Sequence, residues 1–356
     1  MVEKLDDRAT LERLDPHGLL GRIEGLPEQC AEARRLSADF TLPDSYGRAR
    51  QVVVLGMGGS AIAGDILRSL AFASGRLPVA VVRGYDAPSF VGAETLVVAC
   101  SHSGNTEETL AAFRQAAAAG ARLVAVTTGG RLRELARDQG AAAFLYGFDG
   151  EPRSALGHQL MALLALGERV GLLDSQGAQV AETVSLMRGQ RDQIGFSSPL
   201  ETNPAKQIAA RLHGRLPVIV GAGVLTDAAY RWKTQLNENA KCLAFHEELP
   251  ELNHNSIEGF GHGREVAPQV HVVLLHNDSL HRRVLLRYEA TEEALARAGI
   301  SHERVSVGGA SPLASVLCAV FLGDLVSYYL GLLNDVEPAP VEALDRLKAR
   351  LAAQPE

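Results

Sequence analysis

The densest set of groups that could do chemistry lies in Cys100-Ser101-His102-Ser103-Gly104-Asn105-Thr106-Glu107-Glu108. An apolar run of strand length, Leu96 to Cys100, stops at these hydroxyls, and a helical pattern with acidic residues in its first turn follows. A strand-to-helix junction of this kind holds an anion, because the first amides of a helix have no carbonyl partner and carry the positive end of its dipole. Ser101, Ser103 and Thr106 add short donors at the same point, so a phosphate monoester fits without any lysine. A helix cap alone would need one such residue, and here Ser101, Ser103, Asn105 and Thr106 fall within six positions.

Two further groups could move protons. Glu238 ends the amphipathic stretch Trp232 to Lys241, where the helix dipole opposes a negative charge and so strengthens a carboxylate as a proton acceptor; a solvated surface glutamate is the plain alternative. His254, between Asn253 and Asn255, stands at a loop-to-helix entry ahead of Ile257 and Phe260. It could equally be a capping or core hydrogen-bonder. No second His or Cys falls at ligand spacing, and no metal site is expected.

The elements that must carry these residues follow a repeated pattern. Gln51 to Asp65 is a continuous apolar run, then glycines, then a helix, as in a parallel α/β unit whose strand is buried on both faces. Leu216 to Gly223 repeats that opening. Strands are expected at 79–82, 95–99, 122–126, 142–145, 270–275 and 304–307. Helices are expected at 61–73, 106–119, 131–139, 156–173, 181–194, 226–241, 280–298 and 311–333. Residues 1–48 read as a helical arm. The result is a doubly wound α/β chain of two related halves, with a cleft where they face each other. Gly56-x-Gly58-x-x-Ala61 also loosely matches a dinucleotide fingerprint, but the second polar loop at Ser101 and the lack of a well-placed ribose-binding acid disfavour that reading.

At 356 residues the chain is long enough for two domains, and its 46% hydrophobic and 22% charged residues suit a globular protein. A net charge of −7 argues against nucleic acid as the main partner and leaves small anions open. The four cysteines, at 30, 100, 242 and 318, form no CxxC pair, and the N-terminus lacks a signal-peptide pattern, so a cytoplasmic location is expected. Leu313 to Leu333 is apolar but broken by Ser315, Asp324 and Ser327, which points to a buried helix and no membrane partner.

Gly56-Met57-Gly58-Gly59-Ser60, Ser101-x-Ser103-Gly104-Asn105-Thr106, Glu238-Asn239-x-Lys241 and Glu251-Leu252-Asn253-His254-Asn255 together resemble the motif set of the bifunctional phosphoglucose/phosphomannose isomerases, which have two sugar isomerase (SIS) domains. The resemblance implies two flavodoxin-like parallel-sheet domains at 49–195 and 196–335, and a helical tail, 336–356, returning to the active site. It implies a cofactor-independent aldose–ketose interconversion of glucose 6-phosphate, and possibly mannose 6-phosphate, with fructose 6-phosphate. Ser101, Ser103 and Thr106 would hold the phosphate and Gly58, Gly59 and Ser60 would line the sugar pocket. Glu238 would be the base, His254 would open the ring from the second subunit of a homodimer, Arg153 would stabilise the enediolate, and Lys348 would fold back to the sugar. A single carboxylate suffices to shuttle a proton between adjacent carbons, and a placed cation near the oxyanion contributes roughly 10²–10³-fold. His102 stands where the family commonly has tyrosine, and no threonine follows Ala310, where the family's mannose activity is associated with one. The rival readings are a non-catalytic SIS module that senses a phosphosugar and an isomerase of an amino sugar phosphate.

Overall fold

A computed structural model describes residues 2–74, 76–263 and 265–354. The N-terminal arm is three helices, α1 (Arg8–Leu14), α2 (Leu19–Glu24) and α3 (Leu26–Leu36). The first sheet comprises β1 (Gln51–Leu55), β2 (Val79–Val82), β3 (Thr95–Cys100), β4 (Arg122–Thr127) and β5 (Ala142–Leu145), with α4 (Gly58–Ser74), α5 (Glu107–Ala118) and α6 (Gly130–Asp138) as crossovers. Helices α7 (Leu156–Arg169), α8 (Gly177–Ile194) and α9 (Pro204–Leu212) lead to the second sheet of β6 (Leu216–Ala222), β7 (Phe245–Leu249), β8 (Val270–His276) and β9 (Ser301–Ser306). Its helices are α10 (Val224–Asn239), the short α11 (Ser256–Phe260) and α12 (Arg282–Arg297); α13 (Pro312–Leu333) and α14 (Glu342–Ala352) close the chain.

Both sheets are parallel, and their orders, β2-β1-β3-β4-β5 and β7-β6-β8-β9, repeat the same doubly wound topology, as expected of two SIS domains. β7 is a strand that the apolar pattern does not disclose. Its sequence, Phe-His-Glu-Glu-Leu, is polar because it sits at the sheet edge with four of its five residues open to solvent or half-buried. The helix expected to reach Leu173 ends at Arg169, with Gly171 at positive φ in the turn that follows. Of the expected tail, residues 355 and 356 lie outside the described residues.

One apolar cluster runs from Val52, Val54 and Ile62 of the first half, through α7, to Trp232 of α10, Val273 of β8 and most of α13. α13 is long and apolar enough to cross a membrane, yet every residue from Leu313 to Leu333 is buried inside the fold. It packs so closely on α10 that a methyl group at Gly323 would overlap the Trp232 indole, whose Nε1 donates to Ala319 O at 2.7 Å. The halves also meet where α4 crosses α10: Arg68 Nη2 lies 3.7 Å from both Asp65 Oδ1 and Asp227 Oδ1. Burial raises the Asp227 carboxyl from the usual 3.8 to about 6, and the nearby Asp65 charge adds to the rise.

Gly323→Ala is expected to lose about 2–4 kcal/mol in urea unfolding with an unchanged m value, since neither backbone nor indole can withdraw; a loss below about 0.5 kcal/mol would mean that the helices separate freely. Asp227 binds its proton more tightly folded than unfolded, so its contribution is complete below the unfolded value and is lost as pH rises through about 6. Asp227→Asn should therefore stabilise the protein by about 1–2 kcal/mol at pH 7.5, a gain that fades as pH approaches 4; a gain equal at both pH values in thermal melts would exclude titration as its source.

Candidate active site

The hydroxyl loop sits where β3 hands over to α5. Ser101 is buried, and its Oγ lies 2.8 Å from Thr106 Oγ1 while accepting from Gly104 N at 3.1 Å. Ser103 is exposed, with its Oγ accepting from Asn105 N at 3.2 Å. Gly104 has φ +68°, and any side chain there would run into Gly129 O and Thr127 Oγ1, which press the loop from β4. Thr106 is the N-cap of α5 but places no side-chain bond on the helix amides, which leaves its hydroxyl beside Ser101 at the mouth of the helix. Cys100, immediately before, is fully buried, and burial pushes its thiol up to about 12.

The glycine loop at the start of α4 lies against the turn that carries Arg153. A Cβ on Gly59 would come within 2.8 Å of Arg153 Cα, so the smallest residue is needed there for the two segments to touch. Ser60 is buried and its Oγ accepts from Gln159 Nε2 at 2.9 Å; the same amide donates to Tyr146 OH at 3.1 Å, which lies 3.2 Å from His102 Nδ1. A hydrogen-bonded line therefore joins Ser60 of the glycine loop to the residue between the two loop serines. His158 stacks on the Tyr146 ring with centroids 4.9 Å apart, and burial holds both imidazoles below the usual histidine value.

Arg153 and Glu238 come together from opposite halves. Arg153 is buried; its Nε donates to Asn239 Oδ1 at 2.8 Å, and its Nη2 to Pro338 O and Ala339 O at 3.0 and 2.7 Å. Its remaining Nη1 lies 3.5 Å from Glu238 Oε2, and the Glu238 side chain is about a quarter exposed. Desolvation pulls the Arg153 guanidinium down from its usual value, opposed first by the Glu238 charge. Glu238, Asn237, Lys241, Pro340 and Leu344 line a groove of about 880 Å³. A carboxylate held beside a buried cation at the edge of a groove can take up and return a proton while the cation stabilises an adjacent oxyanion. Another groove, of about 590 Å³, runs between α8 and β9 and contains none of these groups.

His254 and Lys348 are not brought to Glu238 by a hydrogen bond or ion pair within this chain. His254 ends the 3-10 turn Glu251–His254 with its side chain exposed. Lys348 lies on the exposed α14, 3.9 Å from Asp345 on its own helix. Sequence reasoning also assigned no role to Asn239, Lys241, Gln159 or Arg231. The first two stand inside the quoted Glu238 motif and Arg231 lies just before Trp232, so their polar density was the available signal. Gln159 follows His158 at the head of the largely apolar Leu156–Leu166 run and is completely buried.

Residues 46–166 match the SIS domain family, and residues 201–351 match the bacterial phospho-glucose isomerase C-terminal SIS domain. The bifunctional phosphoglucose/phosphomannose isomerase of Caldicellulosiruptor bescii is 36% identical over 331 residues, covering 93% of this chain and 98% of its own. The protein of the same name from Thermoplasma acidophilum is 33% identical over 306 residues, 86% of this chain and 91% of its own. The D-glucosamine-6-phosphate 4-epimerase of Sulfolobus acidocaldarius is 33% identical over 213 residues, 59% of this chain and 64% of its own. Among solved structures, a hypothetical protein from Thermus thermophilus superposes with a TM-score of 0.74 at 21% identity, covering 99% of this chain and 95% of its own, which is a likeness of fold. With a third of its residues shared across nearly its whole length, the chain belongs to the bifunctional phosphoglucose/phosphomannose isomerase family.

Proposed function

We propose that this chain is an aldose–ketose isomerase that interconverts glucose 6-phosphate, and mannose 6-phosphate, with fructose 6-phosphate. The observation that carries the reading is the pairing of Glu238 Oε2 with Arg153 Nη1 at 3.5 Å, one group from each half of the chain, beside an open groove. The phosphate rests on Ser101, Ser103, Thr106 and the α5 N-terminus, and the sugar lies along Gly58, Gly59 and Ser60. Glu238 takes the proton from C2 of the open-chain aldose; the C–H electrons form the enediol double bond and the carbonyl oxygen becomes the oxyanion that Arg153 stabilises. The O2 hydroxyl proton passes to O1, and as Glu238 returns its proton to C1 the O2 electrons form the C2 carbonyl, which gives the ketose with no net gain or loss of atoms or electrons.

Ring opening needs a group that can both give and take a proton, a role for which His254 is the candidate. Its exposed position supports a homodimer in which each His254 reaches the other chain's groove. The same reading has Lys348 closing on the sugar from the tail 336–356, and divides the rest into an arm at 1–48 and SIS domains at 49–195 and 196–335. Similarity to the Sulfolobus epimerase supports a second reading, an amino sugar phosphate as substrate, which a panel of fructose, glucose, mannose and glucosamine 6-phosphates distinguishes.

Glu238→Gln should bind fructose 6-phosphate within about threefold of the wild type, by calorimetry, while kcat in a coupled assay falls about 10³-fold or more; retained turnover would remove Glu238 from the chemistry. Mixing inactive Glu238→Gln and His254→Ala chains should restore up to about a quarter of the activity, since one composite site per mixed dimer is intact. No recovery after demonstrated subunit exchange would place His254 in its own chain's site or outside catalysis.

A further inference from the structure

Between α13 and α14 the chain crosses the end of α10 as Pro338-Ala339-Pro340. The two prolines have no N–H to donate, and the strap bends at Pro338 and Ala339 with its carbonyls available to outside donors. Two cations use them. Arg153, from the first half, donates through Nη2 to Pro338 O and Ala339 O. Lys241, from the second half, donates through Nζ to Pro338 O at 3.1 Å, Pro340 O at 2.6 Å and Glu238 O at 2.5 Å. Pro338 O is thus shared between them. The strap also separates the groove beside Glu238 from a polar one of about 440 Å³ lined by Arg22, Asp149 and Glu151.

Lys241 has φ +52°, a left-handed backbone that a lysine rarely adopts. Without that turn the side chain would leave the α10 terminus in another direction. Much of its stem is open to solvent, but the ammonium is turned inward onto three carbonyls, in the neighbourhood of Arg153, Glu238, Glu342 and Glu337. Burial, with the nearby Arg153 charge, lowers its pKa to about 8. Such a placement works against the ordinary preferences of both backbone and charge, so it points to a task beyond surface solvation.

That task follows from the donors of Arg153. Its Nε is fixed by Asn239 and its Nη2 by the strap, so the direction of the remaining Nη1, toward Glu238, depends on where the strap lies. We propose that Lys241 is a positioning residue: by pinning the Pro338–Pro340 strap to the end of α10, it aims the free edge of the Arg153 guanidinium at Glu238 and at the oxyanion formed beside it. Lys241 does not touch the reacting carbons. The kinetic part of this inference rests on the isomerase reading, whereas the structural part does not.

Lys241→Met keeps the stem and removes the three donors; Lys241→Arg restores a cation; Lys241→Gly, which accepts the positive φ without strain, covers the case of a poorly folding Met variant. In the ligand-free protein, protection against hydrogen exchange of the amides that flank the strap, Val336 bonded to Gly331 O and Leu344 and Asp345 bonded to Val341 O, should fall about tenfold in the Met and Gly variants and stay within about threefold in the Arg variant, while β1 amides remain unchanged. With fructose 6-phosphate, kcat of the Met variant should fall about tenfold with KM within about twofold, and the Arg variant should recover most of it. Unchanged strap protection in both the Met and Gly variants overturns the proposal, and so does a loss confined to KM. If the wild type turns over no hexose phosphate, the isomerase reading fails and the exchange result alone decides whether Lys241 pins the strap.

Discussion

The buried ion pair between Arg231 of α10 and Asp324 of α13 is the contact on which the arrangement of the site depends. Two parallel bonds, 3.0 Å from Nε and 2.7 Å from Nη2, join the guanidinium to the carboxylate, and the same Nη2 donates to the backbone carbonyl of Arg153 at 2.9 Å. Desolvation raises the Asp324 carboxyl above its usual value, and the Arg231 charge is the main force opposing it. A buried pair of this kind gains little net stability, but removing one partner strands the other at a cost of about 3–5 kcal/mol. Its effect here is geometric: it joins the second half's two central helices to the turn of the first half that presents Arg153, and so sets the separation between that guanidinium and Glu238.

Around that pair the polar groups of the interior form a connected set. Asn239 receives Arg153 on its carbonyl and donates to Ser327, which lies one turn beyond Asp324 on α13. Gln159 connects Ser60 to Tyr146 and His102. The first set orients the charged residues beside the groove, and the second ties the glycine loop to the hydroxyl loop. Both are buried, which strengthens each hydrogen bond and raises the cost of an unmatched group such as Arg231 Nη1, which has no partner among the described residues.

The parallel strands were legible because strands buried on both faces read as uninterrupted apolar runs, and the glycines after β1 and β6 marked where helices begin. The hydroxyl loop was legible for a related reason: four polar residues after Cys100 contradict the run before them. β7 was not, since an edge strand needs no apolar alternation. The Arg231–Asp324 pair was also hidden. Ninety-three positions separate its members, and Asp324 showed in the sequence only as an interruption of an apolar helix. Proximity of Arg153 to Glu238 came from the family resemblance alone, because nothing local at Pro152-Arg153-Ser154 indicates which carboxylate it faces. Lys241 lay in plain view within a quoted motif, but its task depends on a positive φ and on carbonyls about a hundred residues away.

Cys100 adds one consequence for redox behaviour. It directly precedes Ser101, where a thiolate would place negative charge next to any bound dianion. With its pKa pushed up to about 12 and no exposed surface, the sulfur stays protonated across the physiological range. Alkylating agents and peroxides therefore find no thiolate at Cys100, and the thiol balance of the surroundings places no charge beside Ser101 and Thr106.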